Sequence, residues 1–318
     1  MSLTPFLTPT MLLQSGLGVD WGSYPDSEAS PEEQLAAQMA VCWDVTSTMA
    51  MEAGQGLRAS VTAEQDFGPD RTITILRNGW ARMQLRRWPV LQIIGGQWSG
   101  AIAPQQWNAI PTTSLLPEIP LLASYGTIVG DSSADGPNAI LVAPGIVTWW
   151  GGRLGTILQI TYLNGWPVCG IDTACVAGAT SVHVDDITGW WNGTTGARGV
   201  IQDPPWREDV TVTGAPTPDT VGANSGPGTL PVTALQFPHT PIIGKPNVID
   251  QTVLLTTMPS SLLRGGYYFA AHYGLLRGAQ AAVMQTTHGQ VVSSGVKAAA
   301  DWYSQGQEVL RHYARAAI

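Results

Sequence analysis

The side chains able to do chemistry are few in this chain, and they are scattered. Its five histidines, His183, His239, His272, His288 and His312, form no HExxH motif and no i, i+4 pair with a second ligand. Cys169, Cys175 and His183 are chemically suited to sharing a metal, but their spacing matches no common zinc pattern. Asp185-Asp186 is a carboxylate pair of the kind that does acid–base work. Neighbours along a strand point to opposite faces, however, so the pair reads as the edge of a turn. No G-x-S-x-G, Walker loop or dinucleotide fingerprint is present. The sequence therefore predicts no catalytic residue, no cofactor, no metal site and no enzymatic activity.

The tryptophans are the other candidates. Trp149-Trp150, Trp190-Trp191, Trp166 and Trp206 stand beside Gly and Pro in predicted loops. Flat indoles stack on sugar rings, which gives one reading: a carbohydrate- or receptor-binding tail or neck protein. Tryptophan is also enriched in cores and subunit interfaces. The interface reading is preferred, because the composition agrees with it. Charged residues make up 12% of the 318, about half the usual share of roughly 25%. A surface so poor in charge is expected to be covered by other subunits.

A net charge of −8 argues against nucleic-acid binding as the main task, because phosphate binding needs clustered Lys and Arg. It permits a channel through which DNA slides without sticking, since an acidic lumen repels phosphates. With 36 Gly and 23 Pro the chain must be rich in turns, and its 13 Trp argue against disorder. The three cysteines are too few for a disulfide framework. Cys42 falls in a predicted helix as a small apolar residue, and Cys169 and Cys175 are either a loop disulfide or two reduced thiols. Met1 to Leu13 carries no positive charge and no long apolar run, so it is not read as a signal peptide. The stretch from Tyr267 to Met284 contains His272, Arg277 and Gln280 and is too polar and short to span a bilayer. The expectation is a soluble protein made in the cytoplasm.

The elements that must position these residues are legible in part. Ser30-Pro31-Glu32-Glu33 is a helix start with a capping residue, a first-turn proline and a capping-box glutamate. Leu35, Met39, Cys42, Val45 (or Thr46) and Met49 follow at helical spacing, and Gly54-Gln55-Gly56 ends the helix. The period then changes to two. Arg71–Arg77 and Arg82–Arg86 flank an Asn78-Gly79 hairpin turn. Val90–Ile94 and Gln97-Trp98 suggest a strand pair around Gly95-Gly96, and residues 100–138 read as a long loop. Ile140–Val142, Ile146–Trp150 and Ile157–Leu163 resume the sheet. From Val168 to Leu255, short alternating runs separated by turns predict a small β-barrel or sandwich.

After Pro259 the chain turns helical, with an apolar helix predicted over Leu262–Gln285. A second helix carries the clearest amphipathic pattern. Val296, Ala299, Tyr303, Gly306, Leu310, Tyr313 and Ala317 form a narrow apolar seam, flanked by Lys297, Asp301, Ser304, Glu308, Arg311 and Arg315. A seam this narrow suits one or two neighbouring helices. Trp302, Tyr303, Leu310, Arg311 and Tyr313 are the expected partner-binding residues.

The order of these elements resembles the head-to-tail adaptor (connector) proteins of long-tailed bacteriophages. The likeness rests on the capped helix, on Arg87-Trp88-Pro89-Val90, on Ile160–Pro167 as a counterpart of the family's I/V-x-Y-x-x-G-x-P run, and on the terminal helix. It covers residues 8–167 and 256–318. It implies an α+β fold: a helical adaptor domain with a small β-sheet (1–167 and 256–318), a long C-terminal helix, and an inserted β-domain at 168–255. The insertion departs from the usual small adaptor, in which the last helices follow that strand almost directly. The resemblance further implies a homo-oligomeric ring, usually a dodecamer, in the virion neck. Its partners would be the portal protein, reached by the C-terminal helix, and a tail-side stopper or tail terminator. DNA would pass through the centre without sequence-specific binding, and no membrane would be involved.

Overall fold

The computed structural model describes residues 4–15, 17–66, 73–100, 106–117, 139–147, 149–150, 153–154, 156–242, 251–277 and 295–313. The chain forms two compact units, one built from Met1–Leu57 with Pro167–Ala314 and the other from Arg58–Trp166.

The first unit opens with α1 (Pro9–Leu13) and α2 (Pro31–Ala53). The start of α2 is a complete capping box. Ser30 Oγ accepts from the Glu33 N–H at 3.3 Å, and Glu33 Oε2 accepts from the Ser30 N–H at 2.8 Å. Such a cap contributes about 1 kcal/mol. Glu32 and Glu33 also complement the helix dipole. The helix ends at Gly54, whose φ of 63° only glycine adopts without strain. Gln38, Val41, Cys42, Val45, Thr48 and Met49 form its buried stripe.

The Arg58–Trp166 unit is all β. β1 (Ser60–Asp66), β10 (Thr156–Asn164), β4 (Val90–Gly100) and β5 (Asn108–Ile110) form one antiparallel sheet in that order. β2 (Ile73–Ile75), β3 (Ala81–Gln84), β7 (Ala139–Val142) and β6 (Leu115–Pro117) form a second, and β8 (Trp149–Trp150) pairs β9 (Arg153–Leu154). Leu158, Ile160 and Tyr162 of the first sheet share an apolar core with Ile73, Met83, Ile140 and Val142 of the second. The Asn78-Gly79 turn joins β2 to β3 as its sequence predicts, with Gly79 at φ 84°.

Back in the first unit, β11 (Val168–Ile171), β12 (Ser181–Val184), β13 (Arg198–Asp203), β14 (Trp206–Thr211), β15 (Thr217–Pro218), β16 (Gly228–Pro231) and β17 (Val253–Thr256) form a single sheet. Its order is β14-β13-β17-β11-β12-β16-β15. A bridge between Val212 and Val232 joins the chain beyond β14 to the chain beyond β16, so the sheet curls back on itself. Ile171, Val184, Trp190, Ile201, Val210 and Leu230 fill its interior. α3 (Ser260–Leu276) and α4 (Gly295–Arg311) pack against each other and on α2.

The expectation of a helical adaptor domain with a small β-sheet is overturned. The described residues hold seventeen strands against four helices. The main reason lies between Arg58 and Trp166. Several strands there are two to four residues long, too short for alternation to register. Residues 100–138 contain β5, a 3₁₀ turn at Thr112–Ser114 and β6; 101–105 and 118–138 lie outside the described residues. The Gly95-Gly96 dipeptide is no turn but the middle of β4, beside a register shift opposite Thr161 and Tyr162. Glycine leaves room there for the side-chain ends of Ile160 and Leu115, each of which would lie 2.9 Å from a Cβ on Gly96 and would have to shift. α3 ends at Leu276, and 278–285 of the longer predicted helix lie outside the described residues.

Candidate functional site

The seam of α4 faces the chain's own helices. Leu310 is 0% exposed and Tyr313 is buried. Tyr313 OH lies 2.5 Å from Ser261 Oγ, and the Tyr313 carbonyl accepts from Gln55 Nε2 at 3.0 Å. Tyr303 meets Phe269 edge-on at 5.2 Å, and its hydroxyl donates to Glu52 of α2 at 2.5 Å. That hydrogen bond to a carboxylate, followed by burial, pushes the Tyr303 pKa up to about 12. Trp302, half-buried, stacks on Tyr268 at 5.4 Å. A narrow seam suffices because glycines let the helices approach closely. A Cβ on Gly306 would meet the Phe269 ring at 2.8 Å, and one on Gly265 would meet Val309 at 3.1 Å.

Of the five expected partner-binding residues, Arg311 is exposed, Trp302 and Tyr303 are half-buried, and Leu310 and Tyr313 lie inside the unit. The exposed face of α4 is the polar stripe of Asp301, Ser304, Gln305, Glu308 and Arg311. Beside it runs a groove of 510 Å³ lined by Ser260, Arg264, Tyr268, Gln305, Glu308 and Val309. A second groove, of 620 Å³, lies where α1 meets the start of α2, lined by Pro9, Leu13, Pro31, Leu35 and Gln38 among others.

The scattered chemistry resolves into structural roles. Asp185 and Asp186 are both buried and serve as acceptors. Asp185 takes the N–H and hydroxyl of Thr4 at 2.8 and 2.7 Å and the Gly170 N–H at 2.7 Å. It thereby ties the N-terminal segment to the seven-stranded sheet. Asp186 takes the N–H groups of Thr188 and Gly226 at 3.0 and 3.1 Å. Cys42, Cys169 and Cys175 are buried thiols, and no disulfide joins the last two. Among the described residues no group of three or more His, Cys, Asp or Glu is placed to hold a metal.

The tryptophans divide. Trp166 and Trp190 are core residues, at 2% and 0% exposure, and Trp191 packs against the same core as Trp190. Trp206 is exposed on β14 and stacks on Phe237 at 4.6 Å. The side chains of Trp149 and Trp150 lie outside the described residues. Sequence reasoning missed one arrangement altogether: His183 and His239 each sit between two carboxylates. Their partners lie 11 to 36 residues away, so no local spacing announces them.

The chain matches no protein-family model, no curated protein and no solved structure.

Proposed function

We propose that this chain is a structural subunit of a bacteriophage neck, a head-to-tail adaptor that assembles as a ring between the portal protein and a tail-side neck protein. The observation that carries the reading is the α3–α4 pair, which packs its apolar seam inward on α2 and leaves a polar stripe exposed. The likeness in element order supports the same reading, and it rests on that order and not on helical content. The stripe of Asp301, Ser304, Glu308 and Arg311 is the portal-facing surface, with Trp302 at its edge. The 12% charged composition fits a subunit flanked by copies of itself in heterologous contacts that close by rotation. Its net charge of −8 favours DNA passing through over DNA binding. The mechanism is assembly: the protein positions and seals, and turns nothing over.

The test combines Asp301→Lys with Arg311→Glu, both on the exposed face. The monomer stays folded, and DNA-filled heads accumulate without tails. Negative-stain images of necks carrying the labelled chain place it directly below the portal. Normal tailed virions from the double variant, or label elsewhere in the particle, would refute the proposal. A second reading, sugar binding, draws on the exposed Trp206–Phe237 stack. Trp206→Ala abolishing retention on a glycan column would favour it.

A further inference from the structure

Two histidines, His183 on β12 and His239 between β16 and β17, are each held between a pair of carboxylates. His239 is fully buried, with Nδ1 2.9 Å from Asp203 Oδ2 and Nε2 3.2 Å from Glu208 Oε1. His183 has Nδ1 2.6 Å from Asp172 Oδ1 and Nε2 3.2 Å from both Asp219 oxygens. An ionised carboxylate can only accept, and a neutral imidazole carries one N–H. A neutral ring therefore leaves one of its two contacts as lone pair against lone pair. Both geometries call for the imidazolium.

The two holds meet on one segment. Asp172, just past β11, grips His183, and Cys175 pairs with His239 through reciprocal backbone hydrogen bonds of 2.8 and 2.9 Å. Glu208 also accepts from the N–H groups of Gln236 and Phe237 at 2.7 and 3.2 Å. We propose that His183 and His239 are a proton-dependent double clamp that fastens segments 172–175 and 236–239 to the sheet and loosens them as pH rises.

The groups facing the clamp are few. Asp203 on β13 and Glu208 on β14 flank His239, whose backbone bridges that of Cys175; Asp172 and Asp219 flank His183. Among the described residues the histidines are the only cations paired with these four carboxylates, so each lost proton leaves two carboxylates without a counter-charge. One of them, Glu208, is only 2% exposed. Burial by itself lowers each imidazole pKa, but the hydrogen bonds and charges of the carboxylates outweigh it, and both pKa values lie above the ordinary value. The stabilisation is therefore complete below the unfolded histidine pKa of about 6.5 and is lost as pH rises through the folded-state value.

The experiment is hydrogen exchange of the full chain between pH 5.5 and 9, corrected for intrinsic rates, with an NMR titration of the histidine rings. Protection in peptides spanning 172–184 and 236–242 is expected to fall by up to about tenfold per pH unit for each clamp between pH ~6.5 and that histidine's raised folded-state pKa, and to level off above it, while α2 peptides hold steady. His239→Gln, whose amide keeps one donor and one acceptor, flattens the profile over 236–242. Asp219→Asn removes an exposed partner with little risk to folding, and moves the His183 transition to lower pH. The proposal is overturned by ring titration of His183 and His239 at or below 6.5. Protection in both segments that is independent of pH, or that falls equally throughout the chain, overturns it too. The wild-type titration decides the matter even where His239→Gln fails to fold.

Discussion

Replacing Leu310 with Ala is the sharpest perturbation of the α4 packing. Leu310 is 0% exposed, close to Tyr313, whose hydroxyl and carbonyl are both hydrogen-bonded to the rest of the unit. Removing a buried leucine side chain costs about 2–5 kcal/mol, made up of lost transfer energy and the cavity left behind. The upper part of that range applies if α4 cannot collapse into the gap. The aromatic contacts about two turns earlier on α4, Tyr303 on Phe269 and Trp302 on Tyr268, hold the helix at its present distance from α3. A domain of 150–250 residues loses roughly 2–4 °C of Tm per kcal/mol, so the expected drop is about 4–20 °C. Arg311→Ala, one residue on and exposed, should stay within about 0.5 kcal/mol of wild type. Urea and thermal unfolding of the purified chain, followed by circular dichroism, measure both. Equal stability of Leu310→Ala and Arg311→Ala would refute the inward-facing seam and return Leu310 to an intermolecular role.

Asp185→Ala should cost about 2–4 kcal/mol, because it strands the buried N–H groups of Thr4 and Gly170. Hydrogen exchange should then rise at residues 4–7 first, and unchanged protection there would show that the N-terminal segment is held by other contacts. Gly170→Ala should be more damaging still, since a Cβ at that position would lie 2.0 Å from Thr4 Oγ1 and 2.6 Å from Thr252. A soluble variant of wild-type stability would contradict the close approach. Burial pushes the Cys42 thiol far above its ordinary pKa, and burial followed by the Asp172 charge raises Cys175. Neither thiol, nor buried Cys169, should react with a thiol reagent before denaturation, and a rapidly labelled cysteine in the native chain would be the contrary result.

The sequence by itself determined the features whose causes are local. The start of α2 follows from Ser30, Pro31 and Glu33, its end from Gly54, and the β2–β3 turn from Asn78-Gly79, because each depends on side chains or φ values within a few residues. The two-sided character of α4 was also legible, since helical spacing alone separates Leu310 and Tyr313 from Asp301, Glu308 and Arg311. Which side meets the chain and which meets solvent was decided only by tertiary structure. The inward turn of the narrow seam depends on Gly265 and Gly306 admitting close contact between helices, and that fit is a property of two surfaces, not of one pattern. The β-rich content of Arg58–Trp166 was equally non-local, because β5 and β6 are three residues each and exist through pairing with β4 and β7. The carboxylate brackets on His183 and His239 were invisible for the same reason. Asp172, Asp203, Glu208 and Asp219 are ordinary surface-type residues in sequence, and only the pairing and packing of strands far apart in the chain turn them toward an imidazole.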